Sequence, residues 1–112
     1  MIRKILIATS TALLFCFISP SRATTSGNDL FNYCEDTGVN WSSGYCDGYV
    51  SGIAELATTV GSICPSEAVN NRQVWDITRK YLEQHPETRD QVAEYLVLRA
   101  LMDTFPCPKK SN

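Results

Sequence analysis

Five cysteines and one histidine are the side chains of this 112-residue sequence best suited to act as nucleophiles, bases or metal ligands. Cys16 lies in an apolar N-terminal segment, and the other four are Cys34, Cys46, Cys64 and Cys107. These four are too widely spaced to resemble a zinc knuckle. Four cysteines in a short exported chain are typical of two disulfides, which leave no thiolate for nucleophilic attack. His85 precedes Pro86 at a predicted helix junction, where a histidine usually caps the helix or makes a surface hydrogen bond. The sequence therefore predicts a protein that is not an enzyme and has no metal site and no cofactor.

The first 23 residues have the composition of a secretory signal peptide. Two basic residues start the segment, residues 5–18 are apolar, and Ser21-Arg22-Ala23 places small residues at positions −3 and −1 of a cleavage site. We therefore expect cleavage after Ala23 and export of residues 24–112 as one small soluble domain, with no further segment that spans a membrane.

The predicted mature chain is acidic, and its charge is distributed unevenly. It keeps seven of the ten basic residues beside all twelve acidic ones, for a net charge of −5. Residues 24–71 contain six Asp or Glu side chains and no Lys or Arg. Nucleic acid and anionic lipid are poor partners for such a surface, because both are negatively charged. A basic protein would be attracted to it, although an acidic face that only aids solubility is the more common explanation.

The sequence after the predicted cleavage site begins with a polar stretch, residues 24–28, that we expect to be a mobile tail. A short helix follows, capped by Asn28 or Asp29, and the region of Gly38 ends it.

The second predicted helix runs from a cap at Ser42 or Ser43 to about Val60. Three glycines four residues apart share one of its faces: Gly44, Gly48 and Gly52. Glycine costs a helix about 1 kcal/mol relative to alanine, so this spacing suggests that another backbone passes closely. That backbone belongs either to the same chain, which we favour, or to a second subunit.

The third predicted helix begins with a capping box formed by Asn70 and Gln73 and stops before Pro86. No alternating pattern typical of a strand competes with the helical periodicity. The sequence therefore predicts an all-α fold: a small disulfide-bonded bundle of a short N-terminal helix and three antiparallel helices.

The fourth predicted helix, residues 92–105, is apolar on nearly all sides, which is typical of a buried helix. We expect it to form the centre of the bundle, with the other segments packed around it. Trp41 and Trp75 could be anchors of an interface, but in so small a domain tryptophans more often belong to the core.

Helix lengths select one of the three possible disulfide pairings. Cys46 and Cys64 lie near opposite ends of the second helix, about 25 Å apart at a rise of about 1.5 Å per residue. A disulfide requires Cα atoms within about 7 Å, so this pair is excluded. Short connections make consecutive helices antiparallel, which brings Cys64 next to Cys107 and leaves Cys34 for Cys46. We predict the disulfides Cys34–Cys46 and Cys64–Cys107.

A set of residues between Tyr45 and Cys107 forms a recognisable pattern over most of the predicted mature chain. It consists of Tyr45-Cys46-Asp47-Gly48-Tyr49-Val50-Ser51-Gly52, Ile63-Cys64-Pro65, Gln73, Tyr81-Leu82-Glu83-Gln84-His85-Pro86-Glu87, Ala100-Leu101 and Phe105-Pro106-Cys107. In this pattern the chain resembles the Rap/Tai family of immunity proteins, with its cysteines in place. Ser66 departs from the Cys-Pro-Pro sequence of that family.

The resemblance implies a specific function. Proteins of this family are small, exported, all-helical, disulfide-bonded and usually dimeric proteins of the periplasm. They bind peptidoglycan amidases delivered by type VI secretion systems and block the cysteine–histidine active sites of these toxins. The chain is thus expected to be a periplasmic immunity protein that inhibits such an amidase sterically and forms a homodimer. It is expected to bind neither nucleic acid nor, after signal cleavage, a membrane.

Steric inhibition needs a rigid, protruding element, because a preorganised surface loses little conformational entropy on binding. The loop of residues 65–71 meets this requirement, since the Cys64 disulfide holds one end and the Asn70 cap holds the other. The predicted contact residues are Glu67, Asn70, Asn71 and Arg72. The acidic half of the chain would attract a basic toxin. A connection with no binding role is the competing interpretation of this loop.

The main alternative function is a periplasmic acid-stress chaperone of the HdeA type, which is also small, helical and disulfide-linked. Such a protein must loosen as its carboxylates are protonated and then expose apolar surface. Dye binding and suppression of aggregation at about pH 2–3 distinguish the two functions. A third alternative, an enzyme acting on the cell wall, lacks a recognisable nucleophile–base pair.

Overall fold

The computed structural model describes residues 24–110, which form four helices joined by short connections. The helices are α1 (Gly27–Glu35), α2 (Trp41–Thr59), α3 (Asn71–Gln84) and α4 (Ala93–Thr104), and a single 3-10 turn, Pro86–Thr88, precedes α4. The prediction of an all-α, disulfide-bonded bundle is confirmed, and no strand forms within this span. None of these four helices is long and apolar enough to cross a membrane. The predicted signal peptide, residues 1–23, lies outside the described residues.

A capping box at Ser26 begins α1. The Ser26 hydroxyl accepts a hydrogen bond from the backbone N–H of Asp29 at 3.1 Å, and the Asp29 carboxylate accepts one from the Ser26 N–H at 3.2 Å. The predicted cap at Asn28 or Asp29 is therefore wrong. Asp29 is the third residue of the helix, where an acidic side chain reaches back to the cap.

The helices α2 and α3 begin with capping boxes of the same kind. The Asn40 side chain accepts from the Ser43 N–H at 3.1 Å, and the Ser43 hydroxyl accepts from the Asn40 N–H at 3.2 Å. The predicted cap at Ser42 or Ser43 is wrong, because Ser43 is the partner of the cap and lies inside the helix. The predicted box of α3 is confirmed: Asn70 accepts from the Gln73 N–H at 3.0 Å, and Gln73 Oε1 accepts in return at 2.9 Å.

Residues 24–28 do not form the mobile tail that we predicted, because they pair with the segment before α4. The Gly27 N–H donates to the carbonyl oxygen of Gln91 at 2.9 Å. The approach is close: a Cβ atom at Gly27 would clash with the Leu96 side chain and lie 2.8 Å from the carbonyl oxygen of Arg89. Glycine is required here by the contact between two parts of the chain, which no local pattern indicates.

Replacing Gly27 with alanine is expected to lower the free energy of unfolding by about 1–3 kcal/mol, because the backbone near Arg89 and the Leu96 side chain must shift. Urea unfolding followed by circular dichroism measures the change. Gly44→Ala is the matched control, since no heavy atom lies within 4 Å of its Cβ position. Alanine there should raise stability by up to about 1 kcal/mol through helix propensity. Equal responses of the two variants would contradict the proposed close contact.

The core lies between the four helices, and each helix contributes fully buried side chains to it. These include Leu30, Cys34, Cys46, Val50, Leu82, Leu96, Val97 and Leu101. On α4 the burial is confined to one face, since Tyr95 is 54% exposed and Met102 is 45% exposed. The prediction that this helix is buried nearly all round is wrong. So small a domain has too few residues to surround one helix completely.

Both predicted disulfides are confirmed, with Cα–Cα distances of 5.1 Å for Cys34–Cys46 and 4.8 Å for Cys64–Cys107. The first is fully buried and ties the last turn of α1 to the second turn of α2. The second joins the segments that follow α2 and α4, next to a hydrogen bond of 2.9 Å from the Cys64 N–H to the Phe105 carbonyl. The C-terminal ends of α2 and α4 therefore lie at the same end of the bundle.

The surroundings of the three α2 glycines and the exposure of one tryptophan differ from the prediction. Apart from the adjacent residues and the backbone of α2 itself, no heavy atom of the described chain lies within 4 Å of a Cβ atom built on Gly44, Gly48 or Gly52. The intramolecular explanation of their spacing is therefore wrong for residues 24–110, because no other backbone within that range approaches this face. Trp75 is 8% exposed and belongs to the core as predicted, whereas Trp41 is 68% exposed. As the first residue of α2, Trp41 lies at the end of the bundle and on the side away from the core.

Candidate partner-binding site

The four predicted contact residues form one exposed strip at the start of α3. Glu67, Asn70, Asn71 and Arg72 are all exposed to solvent. Asn70 is also the helix cap, so its side-chain oxygen is engaged with the Gln73 N–H and its orientation is fixed. The four lie within six consecutive residues, but Asn71 lines one groove, against α2, and Arg72 lines another. Their role as contacts stays a prediction.

Two contacts hold the Arg72 side chain in place. Its Nε lies 3.5 Å from Asp76 Oδ1, and its guanidinium carbon lies 4.3 Å from the centre of the Trp75 ring. Arg72 also lines a shallow groove together with Val39, between α1 and α2, and Asp47 of α2. The exposed strip of α3 thus continues across this groove to the connection between α1 and α2.

That connection, the α1–α2 loop of residues 36–40, is ordered by its own side chains. Asp36 Oδ1 accepts a hydrogen bond from the Gly38 N–H at 3.0 Å, and Asp36 Oδ2 accepts one from Asn40 Nδ2 at 2.7 Å. Val39 is fully exposed, with a relative accessibility of 108%. From the sequence we predict only that a helix ends in this stretch. The signal that was available is the Asp-x-Gly-x-Asn spacing, because Asp and Asn side chains often hydrogen-bond within a turn.

Four aromatic side chains form a continuous row beside this loop, which we call the aromatic row: Tyr33, Trp41, Tyr45 and Tyr49. The ring centres are 5.2 Å apart for Tyr33 and Trp41, 5.3 Å for Trp41 and Tyr45, and 5.7 Å for Tyr45 and Tyr49. The Tyr45 hydroxyl lies 2.6 Å from the Thr25 hydroxyl. Each ring is therefore positioned by its neighbours, and only Trp41 is largely exposed.

A second apolar surface, the α2–α4 groove, lies along the C-terminal half of α2. It has a volume of about 500 Å³ and is lined mainly by Ile53, Leu56, Ala57, Val60, Val92, Tyr95 and Leu98. Leu56 and Val60 are 64% and 65% exposed. Adjacent exposed apolar side chains of this kind are typical of surfaces that bind another protein.

Two hydrogen-bonded pairs each contain a side chain whose pKa departs from its usual value. The Tyr49 hydroxyl donates to Glu94 Oε2 at 2.9 Å, and burial together with this carboxylate raises the pKa of Tyr49. His85 Nδ1 lies 3.0 Å from Glu87 Oε1, and this hydrogen bond lowers the pKa of Glu87. The first pair joins α2 to the first turn of α4, whereas the second lies within the turn that follows α3. Within residues 24–110, no three His, Cys, Asp or Glu side chains gather as a metal site would require.

The comparison with known families agrees with this architecture. A family model for Rap1a immunity proteins matches residues 26–107 of the chain. The match extends from the cap of α1 to Cys107 and so includes all four helices and both disulfides. No curated protein and no solved structure matches the chain significantly. Because the matched region covers most of the sequence, the chain belongs to the Rap1a family of immunity proteins.

Proposed function

We propose that this immunity protein acts in the periplasm, where it binds a peptidoglycan amidase delivered by type VI secretion and blocks the amidase active site. The family membership supports the immunity role and the binding of a toxin effector protein. The signal-peptide pattern of residues 1–23 supports export. The two disulfides also favour an oxidising compartment such as the periplasm.

The proposed inhibition is steric, and the protein performs no chemistry of its own. The family match is the observation that carries this proposal. The exposed strip at the start of α3 supports it, because the cap hydrogen bond orients Asn70 and the Arg72 side chain contacts Asp76 and Trp75. A preordered surface loses little entropy on binding. We propose that Glu67, Asn70, Asn71 and Arg72 contact the toxin and that the acidic half of the chain attracts it.

The first step is to determine whether a gene next to that of this chain encodes a peptidoglycan amidase, and the test then uses that amidase in purified form. Peptidoglycan hydrolysis by the purified amidase should stop when one equivalent of this protein is added. The double variant Glu67→Ala/Asn71→Ala is expected to raise the dissociation constant about tenfold. Glu83→Ala, which removes an exposed glutamate near the other end of α3, should leave it unchanged.

Two results would argue against this proposal. Unchanged affinity of the double variant would remove the strip from the binding surface. If the wild-type protein left the amidase active, but bound an apolar dye and suppressed aggregation at about pH 2–3, the acid-stress chaperone would be the correct function.

We also propose that the protein forms a homodimer through the α2–α4 groove. Gly48 and Gly52 leave the adjoining face of α2 bare, although each glycine weakens the helix and no contact within the described chain requires it. A helix of a second copy can approach such a face closely. Light scattering should give the mass of two copies for the wild type and of one copy for Val60→Asp. A wild-type protein that is a monomer would contradict the proposal.

A further inference from the structure

We propose that Val39 and Trp41, at the corner between α1 and α2, form the apolar anchor that enters a cleft of the toxin, and that basic side chains of the toxin border this cleft. This inference rests on the proposed function and adds to it a surface that lies beyond the predicted strip of α3. We call the two residues the anchor pair.

The exposure of the anchor pair is the first observation. Val39 is fully accessible and Trp41 is 68% exposed, so two large apolar side chains project into solvent within three residues. Single exposed apolar residues are common and need no explanation. Here, however, Trp41 belongs to the aromatic row through its contacts with Tyr33 and Tyr45, and Val39 lies two residues before it. Tryptophan and tyrosine are the residues most enriched among those that dominate binding energy in protein interfaces.

The rigidity of the corner is the second observation. Asp36 accepts hydrogen bonds from both Gly38 and Asn40, and the Asn40 cap fixes the first turn of α2. The Cys34–Cys46 disulfide closes the ring of chain that contains this loop. An anchor that is already held in its bound conformation avoids much of the entropy loss that weakens binding by flexible loops. The corner therefore meets the requirement for a rigid, protruding element at least as well as the loop of residues 65–71.

The charge around the corner defines the partner. Glu35, Asp36 and Asp47 are its nearest charged residues on α1, the loop and α2, and residues 24–71 contain no Lys or Arg. The facing charge on α3 is Arg72, which lines the groove beside Val39 and is paired with Asp76. The corner thus presents an apolar tip within an acidic border. Its complement is an apolar cleft whose border carries Lys or Arg side chains.

The groove also connects this corner to the predicted contacts. Arg72 is the last residue of the exposed strip and lies in the same groove as Val39. One partner that covers Arg72 and this groove would therefore also contact Val39, and Trp41 lies only two residues further along the chain. The strip then supplies polar contacts at the edge of the interface, and the anchor pair supplies the apolar centre.

The experiment measures, by calorimetry, how tightly the amidase identified for the test of the proposed function binds the full mature protein. Trp41→Ala and Val39→Asp are each expected to raise the dissociation constant about 30-fold, which is the scale of a dominant interface residue. Met102→Asp is the matched control, because Met102 is also an exposed apolar residue and lies on the last turn of α4. It should leave the dissociation constant unchanged. Circular dichroism checks that all three variants are folded.

Each other outcome overturns the inference in a distinct way. If the wild type binds but both anchor variants bind equally well, the proposed function stands and the anchor pair is not part of the interface. If the anchor variants change the oligomeric mass of the free protein, the corner is a contact between two copies. If the wild type does not bind the amidase, the proposed function fails and this inference fails with it.

Discussion

Replacing Trp75 with alanine is expected to lower the free energy of unfolding by about 3–5 kcal/mol, which is a large part of the stability of a small domain. The indole is only 8% exposed and fills the space between α1, α2 and α3. Its Nε1 also donates a hydrogen bond of 3.2 Å to the carbonyl oxygen of Cys34, which lies in the last turn of α1. A carbonyl in that turn has no partner within its own helix. The substitution would create a cavity and leave this buried oxygen without its donor.

Urea unfolding followed by circular dichroism measures this effect, and the sequence supplies two controls. Trp75→Phe keeps most of the ring but lacks the N–H, so it should cost less than alanine at the same position. Trp41→Ala removes the same side chain from an exposed position and should cost about 1–2 kcal/mol, through loss of the ring contacts with Tyr33 and Tyr45. Similar losses for the two alanine variants would contradict the assignment of Trp75 to the core.

Removing the Cys64–Cys107 disulfide by the double substitution to alanine is expected to lower the free energy of unfolding by about 4 kcal/mol. The two cysteines are 43 residues apart in the sequence, so the disulfide closes about half of the described chain into one ring and restricts the unfolded chain strongly. It also lies next to the hydrogen bond between Cys64 and Phe105 that holds the ends of α2 and α4 together. The variant should have a lower urea midpoint and a similar helix content.

The Cys34–Cys46 disulfide provides the comparison, because its cysteines are only 12 residues apart. Loss of this shorter ring should cost about 3 kcal/mol through chain entropy, with an additional loss because both side chains are fully buried. Mild reduction should therefore open Cys64–Cys107 first, since Cys64 is exposed. Peptide mapping after brief reduction and alkylation checks this order, and initial labelling of Cys34 would contradict it.

The disulfide pairing could be predicted from the sequence because it follows from helix lengths and short connections. Residue spacing gives the length of α2, and that length alone separates Cys46 from Cys64 by more than a disulfide can bridge. Short connections then place Cys64 near Cys107. The start of α3 could be predicted for a similar reason, because the capping box at Asn70 is formed by residues that are close in sequence. Such features are predictable since they depend on local geometry and on few possible pairings.

Other predictions failed where the surroundings of a residue decided the outcome. Trp41 and Trp75 are the same residue type, yet one projects into solvent and the other lies in the core. The glycines of α2 suggested a close neighbour that is absent from the described chain, whereas Gly27, which does have a close neighbour, had no distinctive pattern. The burial of each tryptophan and the surroundings of each glycine depend on contacts between parts of the chain that are distant in sequence.

The two parts of the candidate site differ in the same respect: one could be proposed from the sequence, and the other required the structure. The strip from Glu67 to Arg72 could be proposed from the sequence, because a loop between a disulfide and a helix cap can be recognised there, and the structure shows that these residues are exposed. The anchor pair was not, because the exposure of Val39 and the row of rings beside Trp41 depend on how α1 packs against α2. Only the arrangement of the helices shows that the strip and the corner share a groove at Arg72.

By itself the sequence determined the helical content, both disulfides and the immunity family, because helix periodicity, cysteine spacing and short motifs are local properties of the chain. Only the tertiary structure decided which faces of those helices are covered and which remain exposed. The physical reason is that burial depends on the free energy of packing distant segments together. The type of a residue does not specify which distant segments of the chain will pack against it.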